Sequence, residues 1–287
     1  MSYPDDLRDQ VDRHLESVRF SDEAATTGLD EAMRYSLLAG GKRIRPVLCL
    51  ATARSLGHPT AEYLDIAAAI EMVHTYSLVH DDLPAMDDDD LRRGKPTSHI
   101  RFGEAVAILA GDGLFAEAMR TLAAVQGEPE RILETVNLVA GATGVSGMVG
   151  GQYVDVTAEE LDAEGLLRLH SLKTGRLIEV SVQSALALAG VPVTERRPYE
   201  LFAGELGILF QIVDDILDVT GSDEALGKPR GSDERHGKVT YVSLYGLERA
   251  RELATRSHDA AIDALEEVDG ECESLENVAD YIYRREQ

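Results

Sequence analysis

The sequence is poor in cysteine, in lysine and in long apolar segments, and each shortage excludes a class of protein. Its two cysteines, Cys49 and Cys272, lie far apart in the chain. Both thiols are therefore expected to be reduced, without a disulfide framework. No apolar run of about 18 residues is free of charge, and no cleavable leader is recognisable, so we expect a soluble, cytoplasmic protein without stable membrane insertion.

Positive charge is scarce as well. The 287 residues include 52 acidic and 28 basic side chains, which gives a formal net charge of −24 at pH 7 and argues against a nucleic-acid partner. Only five of the basic residues are lysines, and this combination is typical of the acidic surface of a halophilic protein. Four of these lysines stand beside glycine or threonine, in segments that could bind an anion: Lys42, Lys173, Lys228 and Lys238.

Alternating runs of β-branched residues are absent, so we expect few or no strands and an all-α bundle. Hydrophobic residues make up 44 % of the chain, enough for a sizeable core. No linker or low-complexity tract divides the chain, and residues 1–287 are predicted to form a single domain. Periodicity predicts helices over residues 29–38, 105–125, 131–149, 163–189, 198–219 and 241–265.

Two aspartate clusters are the most informative feature that is present. The first contains Asp81, Asp82 and Asp87, and the second contains Asp214, Asp215 and Asp218. An apolar segment precedes each cluster, and carboxylates on a buried helix cost several kcal/mol unless a positive charge meets them. Asp214 and Asp218 are four residues apart and share one helical face, a spacing that suits Mg²⁺. The alternative for the neighbouring run of aspartates at 87–90 is a solvated acidic surface.

Basic residues form complementary clusters. Lys42 and Arg45 stand where a helix is predicted to begin, which favours anion binding. Arg92 and Arg93 follow the first acidic cluster directly, and local charge balance is the alternative there. His74 lies two helical turns before Asp81, where a satisfied core histidine is the alternative to a ligand.

Together, acids and bases indicate a metal-bridged diphosphate. No arrangement of serine or cysteine with histidine suggests a protein nucleophile, so the predicted chemistry is metal-assisted departure of a diphosphate. Between positions 141 and 151, glycine recurs about every third residue without a preceding strand, which excludes a dinucleotide-binding loop. We interpret these glycines as sites of close helix packing, with a ligand near Gln152 and Asp155.

These motifs resemble those of the trans-isoprenyl diphosphate synthases, and the resemblance covers nearly the whole chain. It rests on Asp81-Asp82 with Asp87 five residues further on, on Arg92-Arg93-Gly94, and on Asp214-Asp215-x-x-Asp218. It implies an all-α homodimer around a central cavity, in which three Mg²⁺ ions bind an allylic diphosphate. The metal ligands would be Asp81, Asp87, Asp214 and Asp218, supported by Asp82 and Asp215.

The resemblance also implies two diphosphate sites. The allylic diphosphate would be held by Arg92, Lys173, Lys228 and Lys238, with Thr174 and Gln211 nearby. Isopentenyl diphosphate would be held by Lys42, Arg45, His74 and Arg93. Asp81, Asp87, Lys173 and Asp214 would carry the catalysis. The family often ends in a basic tail near isopentenyl diphosphate, whereas this chain ends Arg284-Arg285-Glu286-Gln287, which leaves that contact open.

Two other function classes stay open. A class I terpene cyclase shares the implied fold and the first motif, but its second metal motif has serine or threonine where Asp218 stands, and it needs no isopentenyl site. A non-catalytic helical metal-binding protein would explain the acidic clusters but not the lysines.

We expect product length to depend on Tyr76, which lies about 7.5 Å down the predicted helix from Asp81. A bulky aromatic at this position in the family often closes the cavity, which favours farnesyl diphosphate as product. Geranylgeranyl diphosphate is the alternative, and an ordinary core aromatic is the alternative role of Tyr76.

Overall fold

The computed structural model describes residues 3–158, 161–221 and 239–284, and these residues are almost entirely helical. The α-helices are α1 (Asp5–Ser17), α2 (Thr27–Leu37), α3 (Ile44–Ser55), α4 (Leu64–Asp81), α5 (Ser98–Phe102), α6 (Glu104–Ala123), α7 (Pro129–Thr143), α8 (Met148–Thr157), α9 (Ala163–His170), α10 (Arg176–Ala189), α11 (Arg197–Thr220), α12 (Tyr241–Tyr245), α13 (Leu247–Glu266) and α14 (Glu273–Arg284). Short 3-10 helices span Thr60–Tyr63 and Val193–Glu195, and a π-helical turn spans Ser171–Gly175. The all-α prediction is confirmed.

The two helices that carry the aspartate clusters are central to the packing. α4 packs against α3, α6 and α10, and α11 packs against α10, α13 and α14. Ile66, Ile70 and Val73 of α4 and Leu206 and Val213 of α11 are fully buried. The apolar sequence of each helix therefore buries most of its surface, and its acidic end emerges at the edge of the core.

One small sheet is present among the described residues. The strands β1 (Leu91–Arg92) and β2 (Lys95–Pro96) pair antiparallel, with Leu91 opposite Pro96 and Arg92 opposite Lys95. Arg93 and Gly94 form the turn, and both have positive φ, at 54° and 72°. The hairpin follows the first aspartate cluster and projects Arg92 back towards it. The prediction of few or no strands agrees with this arrangement.

Three predicted helices are interrupted, and glycine explains two of the breaks. The helix predicted over 131–149 stops at Thr143 and resumes at Met148, and Gly246, with φ 78°, divides the one predicted over 241–265. A Cβ on Gly147 would lie 2.0 Å from the carbonyl oxygen of Ala142, so only glycine fits the first break. The helix predicted over 163–189 continues but contains the π-helical turn.

The glycine-rich segment packs closely at one position. A Cβ on Gly151 of α8 would lie 2.4 Å from the backbone nitrogen of Lys173 in the π-helical turn. The two backbones can approach this closely because position 151 has no side chain. At Gly141, by contrast, a Cβ would meet nothing within 4 Å, so the packing interpretation holds at Gly151 and not at Gly141.

The expectation that no apolar run of about 18 residues is free of charge does not hold for the segment Pro129–Thr157, in which residues 135–154 carry no charge. The segment is apolar and long enough to cross a membrane by length and composition, which is weak evidence on its own. It consists of α7 and α8 with the break at 144–147 between them. An interrupted helix leaves backbone groups that lipid cannot satisfy. Only 28 % of its most apolar window is buried within the chain.

Candidate active site

The first aspartate cluster lies at the C-terminal end of α4. Asp81 is the last residue of the helix, and the loop after it returns, because the backbone N–H of Asp87 donates to the carbonyl oxygen of Asp81 at 2.9 Å. Burial raises the pKa of Asp81 to about 6, with Asp87 adding to the rise and Lys173 opposing it. The loop of four residues between Asp82 and Asp87 thus brings the carboxylates of Asp81 and Asp87 together at a partly desolvated site.

The middle aspartate of this cluster has a different role. Asp82 is buried and accepts hydrogen bonds from Arg92 at Nε (2.7 Å) and Nη2 (2.6 Å). Burial raises the pKa of Asp82, and the two hydrogen bonds that Arg92 donates to its Oδ1 oppose this rise. This ion pair holds the guanidinium of Arg92 beside the candidate metal ligands. Arg92 therefore also balances the charge of the neighbouring aspartates, which is the alternative role considered for it.

In the second cluster too, the middle aspartate is held by hydrogen bonds within the protein. Asp215 is buried on α11 and accepts from Gln211 Nε2 at 2.9 Å and from the backbone N–H of Tyr241 at 2.8 Å. Gln211 in turn accepts from the hydroxyl of Thr174 at 3.2 Å. This chain of hydrogen bonds joins the π-helical turn, α11 and the start of α12. Asp214 and Asp218 stand on either side of Asp215 on the same helix.

Lys173 lies close to Asp81 of the first cluster, and the next residue, Thr174, contacts Gln211 beside the second. It belongs to the π-helical turn, and its Nζ contacts Asp155 Oδ2 of α8 at 2.6 Å. Gly151, one turn before Asp155, permits this approach. Gln152 lines a cavity of about 600 Å³ that Asp81 and Lys173 also line. Neither polar atom of its buried amide has a hydrogen-bond partner among the described residues. A polar ligand in the cavity would satisfy that amide.

The basic residues near α3 form a second group. Arg45 and His74 line the cavity together, with Arg45 Nη1 3.4 Å from His74 Nε2. Burial, assisted by Arg93, lowers the pKa of Arg45 to about 10, although Glu71 and Asp214 oppose the shift. Burial and the neighbouring arginines hold the pKa of His74 well below its usual value, so His74 is neutral at pH 7. Arg45 Nε has no hydrogen-bond partner among the described residues.

Arg93 and Lys42 complete this group. The guanidinium of Arg93 donates to the carbonyl oxygen of Gly40 and lies beside Gly41, where a Cβ would be 2.6 Å from Cζ. The positive φ of Gly41, 122°, is the reason that this position favours glycine, because the end of the Arg93 side chain could shift to admit a Cβ. Lys42 is exposed, with Nζ 5.2 Å from the ring centroid of Tyr281 in α14.

Sequence reasoning missed the residues that anchor this group. Arg43 is buried, and its guanidinium contacts Glu71 Oε1 at 2.6 Å, Asp12 Oδ1 at 2.9 Å and the carbonyl oxygen of Leu37 at 2.9 Å. Glu71 lies one turn before His74 on α4. A glutamate inside the apolar run 66–73 was the available signal, because a buried carboxylate requires a cationic partner.

The cavity of about 600 Å³ extends from Asp81 and Lys173 to the basic group at Arg45 and His74. Its polar end contains Asp81, Lys173, Arg45 and His74, and its wall elsewhere is largely apolar. The apolar wall residues include Tyr76, Ile108, Met148, Val149 and Val156. The site can therefore hold a charged head at one end and a hydrocarbon chain along its length.

The donor set fits Mg²⁺. No three histidine, cysteine, aspartate or glutamate side chains of the described residues form a ready-made metal cluster. Mg²⁺ does not require one, because it binds through one or two carboxylates and completes its shell with water and substrate phosphate. The adjacent carboxylates of Asp81 and Asp87, with the raised pKa of Asp81, supply that arrangement.

Some predicted site residues cannot be placed. Lys228, Lys238 and Arg285 lie outside the described residues. Arg284 ends α14, where its Nη2 contacts Asp280 Oδ2 at 2.9 Å.

Comparison with known proteins places this site in a family. The polyprenyl synthetase family profile matches residues 26–279. The chain is 45 % identical over 263 residues to a farnesyl diphosphate synthase of Geobacillus stearothermophilus, covering 90 % of this chain and 89 % of that protein. It is 47 % identical over 246 residues to the chloroplastic heterodimeric geranylgeranyl pyrophosphate synthase large subunit 1 of Arabidopsis thaliana, covering 83 % of this chain and 66 % of that protein.

A solved structure shares the fold. The geranyltransferase of Helicobacter pylori, complexed with magnesium and isoprenyl diphosphate, superimposes with a TM-score of 0.86 at 31 % identity, covering 99 % of this chain and 98 % of that chain. Together with the family match and the two aspartate clusters, this similarity shows that the chain belongs to the polyprenyl synthetase family of prenyltransferases.

Proposed function

We propose that this prenyltransferase condenses isopentenyl diphosphate with an allylic diphosphate, head to tail, and that its main product is farnesyl diphosphate. The observation that carries the proposal is the cavity of about 600 Å³ that begins at Asp81 and Lys173 and continues between apolar walls past Tyr76. A charged head and a growing hydrocarbon tail are the two parts of such a substrate.

The residues divide the work as follows. Asp81, Asp87, Asp214 and Asp218 would hold Mg²⁺, in three ions, and the metal would neutralise charge on the departing diphosphate. Arg92, Lys173, Lys228 and Lys238 hold the remaining oxygens of the allylic diphosphate. Asp82 and Asp155 orient Arg92 and Lys173 through the contacts described above.

Isopentenyl diphosphate, the second substrate, is held by the basic group near α3. Lys42, Arg45, His74 and Arg93 bind isopentenyl diphosphate, and the neutral imidazole of His74 contributes a hydrogen bond rather than a charge. The apolar wall excludes water from the allylic cation, so the isopentenyl double bond is the nucleophile within reach. The proton that is then lost goes to the released diphosphate.

Tyr76 supports the fifteen-carbon assignment. Its side chain is 9 % exposed, lines the cavity and follows α4 down from Asp81. Geranylgeranyl diphosphate is the alternative product, since relatives of both names are similarly close to this chain.

Product analysis tests the proposal. The protein is incubated with Mg²⁺, isopentenyl diphosphate and geranyl diphosphate, and the dephosphorylated products are separated by chromatography. We expect a main fifteen-carbon alcohol, and longer products from Tyr76→Ala. A wild-type twenty-carbon peak would reject the farnesyl assignment. A hydrocarbon formed from the allylic diphosphate alone would indicate a cyclase, and absence of turnover would indicate a non-catalytic protein.

We further propose that the chain is a homodimer. Large apolar side chains are exposed on α6, on α7, on α8 and in the break between α7 and α8, and exposed apolar residues of this kind are typical of a subunit interface. They are Ile108, Leu109, Phe115, Leu133, Val145, Val149, Tyr153 and Val156. Light scattering should give twice the chain mass of 31.2 kDa, and the monomer mass at micromolar concentration would contradict the proposal.

Three broader expectations remain proposals. Residues 1–287 form one domain, the protein works in the cytoplasm, and its acidic surface is adapted to high salt. The net charge of −24 supports the last, because screening by salt weakens repulsion between like charges. The melting temperature should therefore rise as KCl is raised to molar concentration.

A further inference from the structure

The ring of Tyr76 is held between two other rings. On one side is Phe115 of α6, whose ring centroid is 5.4 Å from that of Tyr76 with an interplanar angle of 67°. On the other is His80, one turn further along α4, at 5.8 Å and 78°. Both are edge-to-face contacts, which fix the orientation of a ring as well as its position.

His80 is itself locked against α6. Its Nε2 lies 3.1 Å from the carbonyl oxygen of Ile108, and a Cβ on Gly111 would lie 2.2 Å from the same nitrogen. The imidazole therefore occupies a notch that exists because position 111 is glycine. It forms a rigid support on the side of Tyr76 that faces Asp81.

Phe115 forms the support on the opposite side. Tyr76 lines the cavity, whereas Phe115 contacts Tyr76 from outside the cavity wall that the described residues form. Phe115 is 37 % exposed in the single chain, on the apolar face that is proposed above to meet a second copy, and its removal would leave a space beside the ring of Tyr76. Without the phenyl ring, the phenol of Tyr76 could tilt towards α6 and leave the path of the growing tail.

We propose that Phe115 is a positioning residue for product length, which acts by holding Tyr76 across the cavity. This inference rests on the proposed function, in which Tyr76 closes the cavity for chains longer than fifteen carbons. Phe115 does not touch the substrate. Its effect is on which chain length is released rather than on the rate of condensation.

The test compares products of the full-length protein with Mg²⁺, isopentenyl diphosphate and geranyl diphosphate. Phe115→Ala should raise the ratio of twenty-carbon to fifteen-carbon product at least fivefold, and Phe115→Leu should raise it less. Leu109→Ala is the matched control, because Leu109 is an exposed apolar residue of the same helix, 55 % exposed and outside the cavity wall. Its product ratio should stay within twofold of wild type. Light scattering checks that the variants keep the wild-type mass.

The double variant Tyr76→Ala with Phe115→Ala decides whether the effect passes through Tyr76. If it does, the double variant and Tyr76→Ala give the same product spectrum. Longer products from the double variant would show that Phe115 is itself part of the wall and would overturn the proposal. The proposal is also overturned if Leu109→Ala lengthens the product as much as Phe115→Ala does.

The remaining outcomes separate this inference from the proposed function. If Tyr76→Ala lengthens the product and Phe115→Ala leaves the ratio within twofold of wild type, only the role of Phe115 is wrong. If neither variant lengthens the product, Tyr76 does not close the cavity, and that part of the proposed function fails. Should Phe115→Ala not fold, Phe115→Leu carries the same comparison with a smaller expected change.

Discussion

Replacing Glu71 by glutamine tests the energetic basis of the basic group beside the cavity. Glu71 and Arg43 are both 2 % exposed at the side chain and are joined at 2.6 Å. Glutamine keeps the size and one acceptor but removes the charge. Arg43 would then keep only Asp12, whose side chain is 40 % exposed, as a carboxylate partner among its described contacts.

The magnitude follows from the burial of the pair. Breaking a buried ion pair from one side costs about 3–5 kcal/mol, because a buried charge is left without compensation. Asp12 remains as a partner, so we expect the lower end, about 3 kcal/mol. For 287 residues the unfolding entropy is about 0.6 kcal/mol/K, which converts this loss into a fall in Tm of about 5 °C.

Differential scanning calorimetry measures the effect, and the chain offers a matched control. Glu134 pairs with Arg196 at 2.6 Å but is itself 38 % exposed. Water can replace the lost partner there, so Glu134→Gln should cost about 1 kcal/mol and lower Tm by about 2 °C. The reasoning is refuted if Glu71→Gln melts within 2 °C of wild type, or if both variants lose the same stability.

Two further predictions concern substrate binding and acid sensitivity. Arg45→Ala should raise mainly the KM for isopentenyl diphosphate, and Lys173→Ala mainly the KM for the allylic substrate, each about 10- to 100-fold. If each variant raised both KM values equally, the assignment of these residues to two separate sites would be wrong. Burial lowers the pKa of His170 to about 4, whereas a histidine of the unfolded chain has a pKa of about 6.5. As pH falls between these values, the unfolded chain binds a proton at His170 and the folded chain does not, so the folded state loses stability. Tm should therefore fall about 4 °C further in wild type than in His170→Gln between pH 7 and pH 4.5, and parallel curves for the two proteins would contradict this.

The sequence predicted the fold class and the aspartate clusters because both depend on local pattern. Helical periodicity can be recognised within a single segment of sequence. Carboxylates at the end of an apolar helix are costly to bury, and this cost indicates a functional site. The helix interruptions were missed. Gly147 and Gly246 break helices where the apolar spacing continues, so periodicity alone could not reveal them.

Partners that are distant in sequence were also beyond prediction. Lys173 contacts Asp155, Asp215 accepts from the N–H of Tyr241, and Arg43 contacts Glu71. Each pair joins two elements whose relative placement is set by packing of the whole core. Sequence pattern predicts which face of a helix is buried, but it does not predict which residue of another helix meets that face.

The most direct test of the central claim is the turnover of Asp81→Asn beside that of Asp88→Asn. Asp81 is a proposed metal ligand, whereas Asp88 is an exposed residue of the loop that follows it, with φ 54°, a conformation that asparagine tolerates. Loss of one metal ligand removes several kcal/mol of stabilisation from the departing diphosphate, so Asp81→Asn should reduce kcat about 1,000-fold at saturating Mg²⁺. Asp88→Asn should stay within about threefold of wild type. Retention of more than about a tenth of wild-type turnover by a folded Asp81→Asn variant would contradict a metal-dependent prenyltransferase at this site.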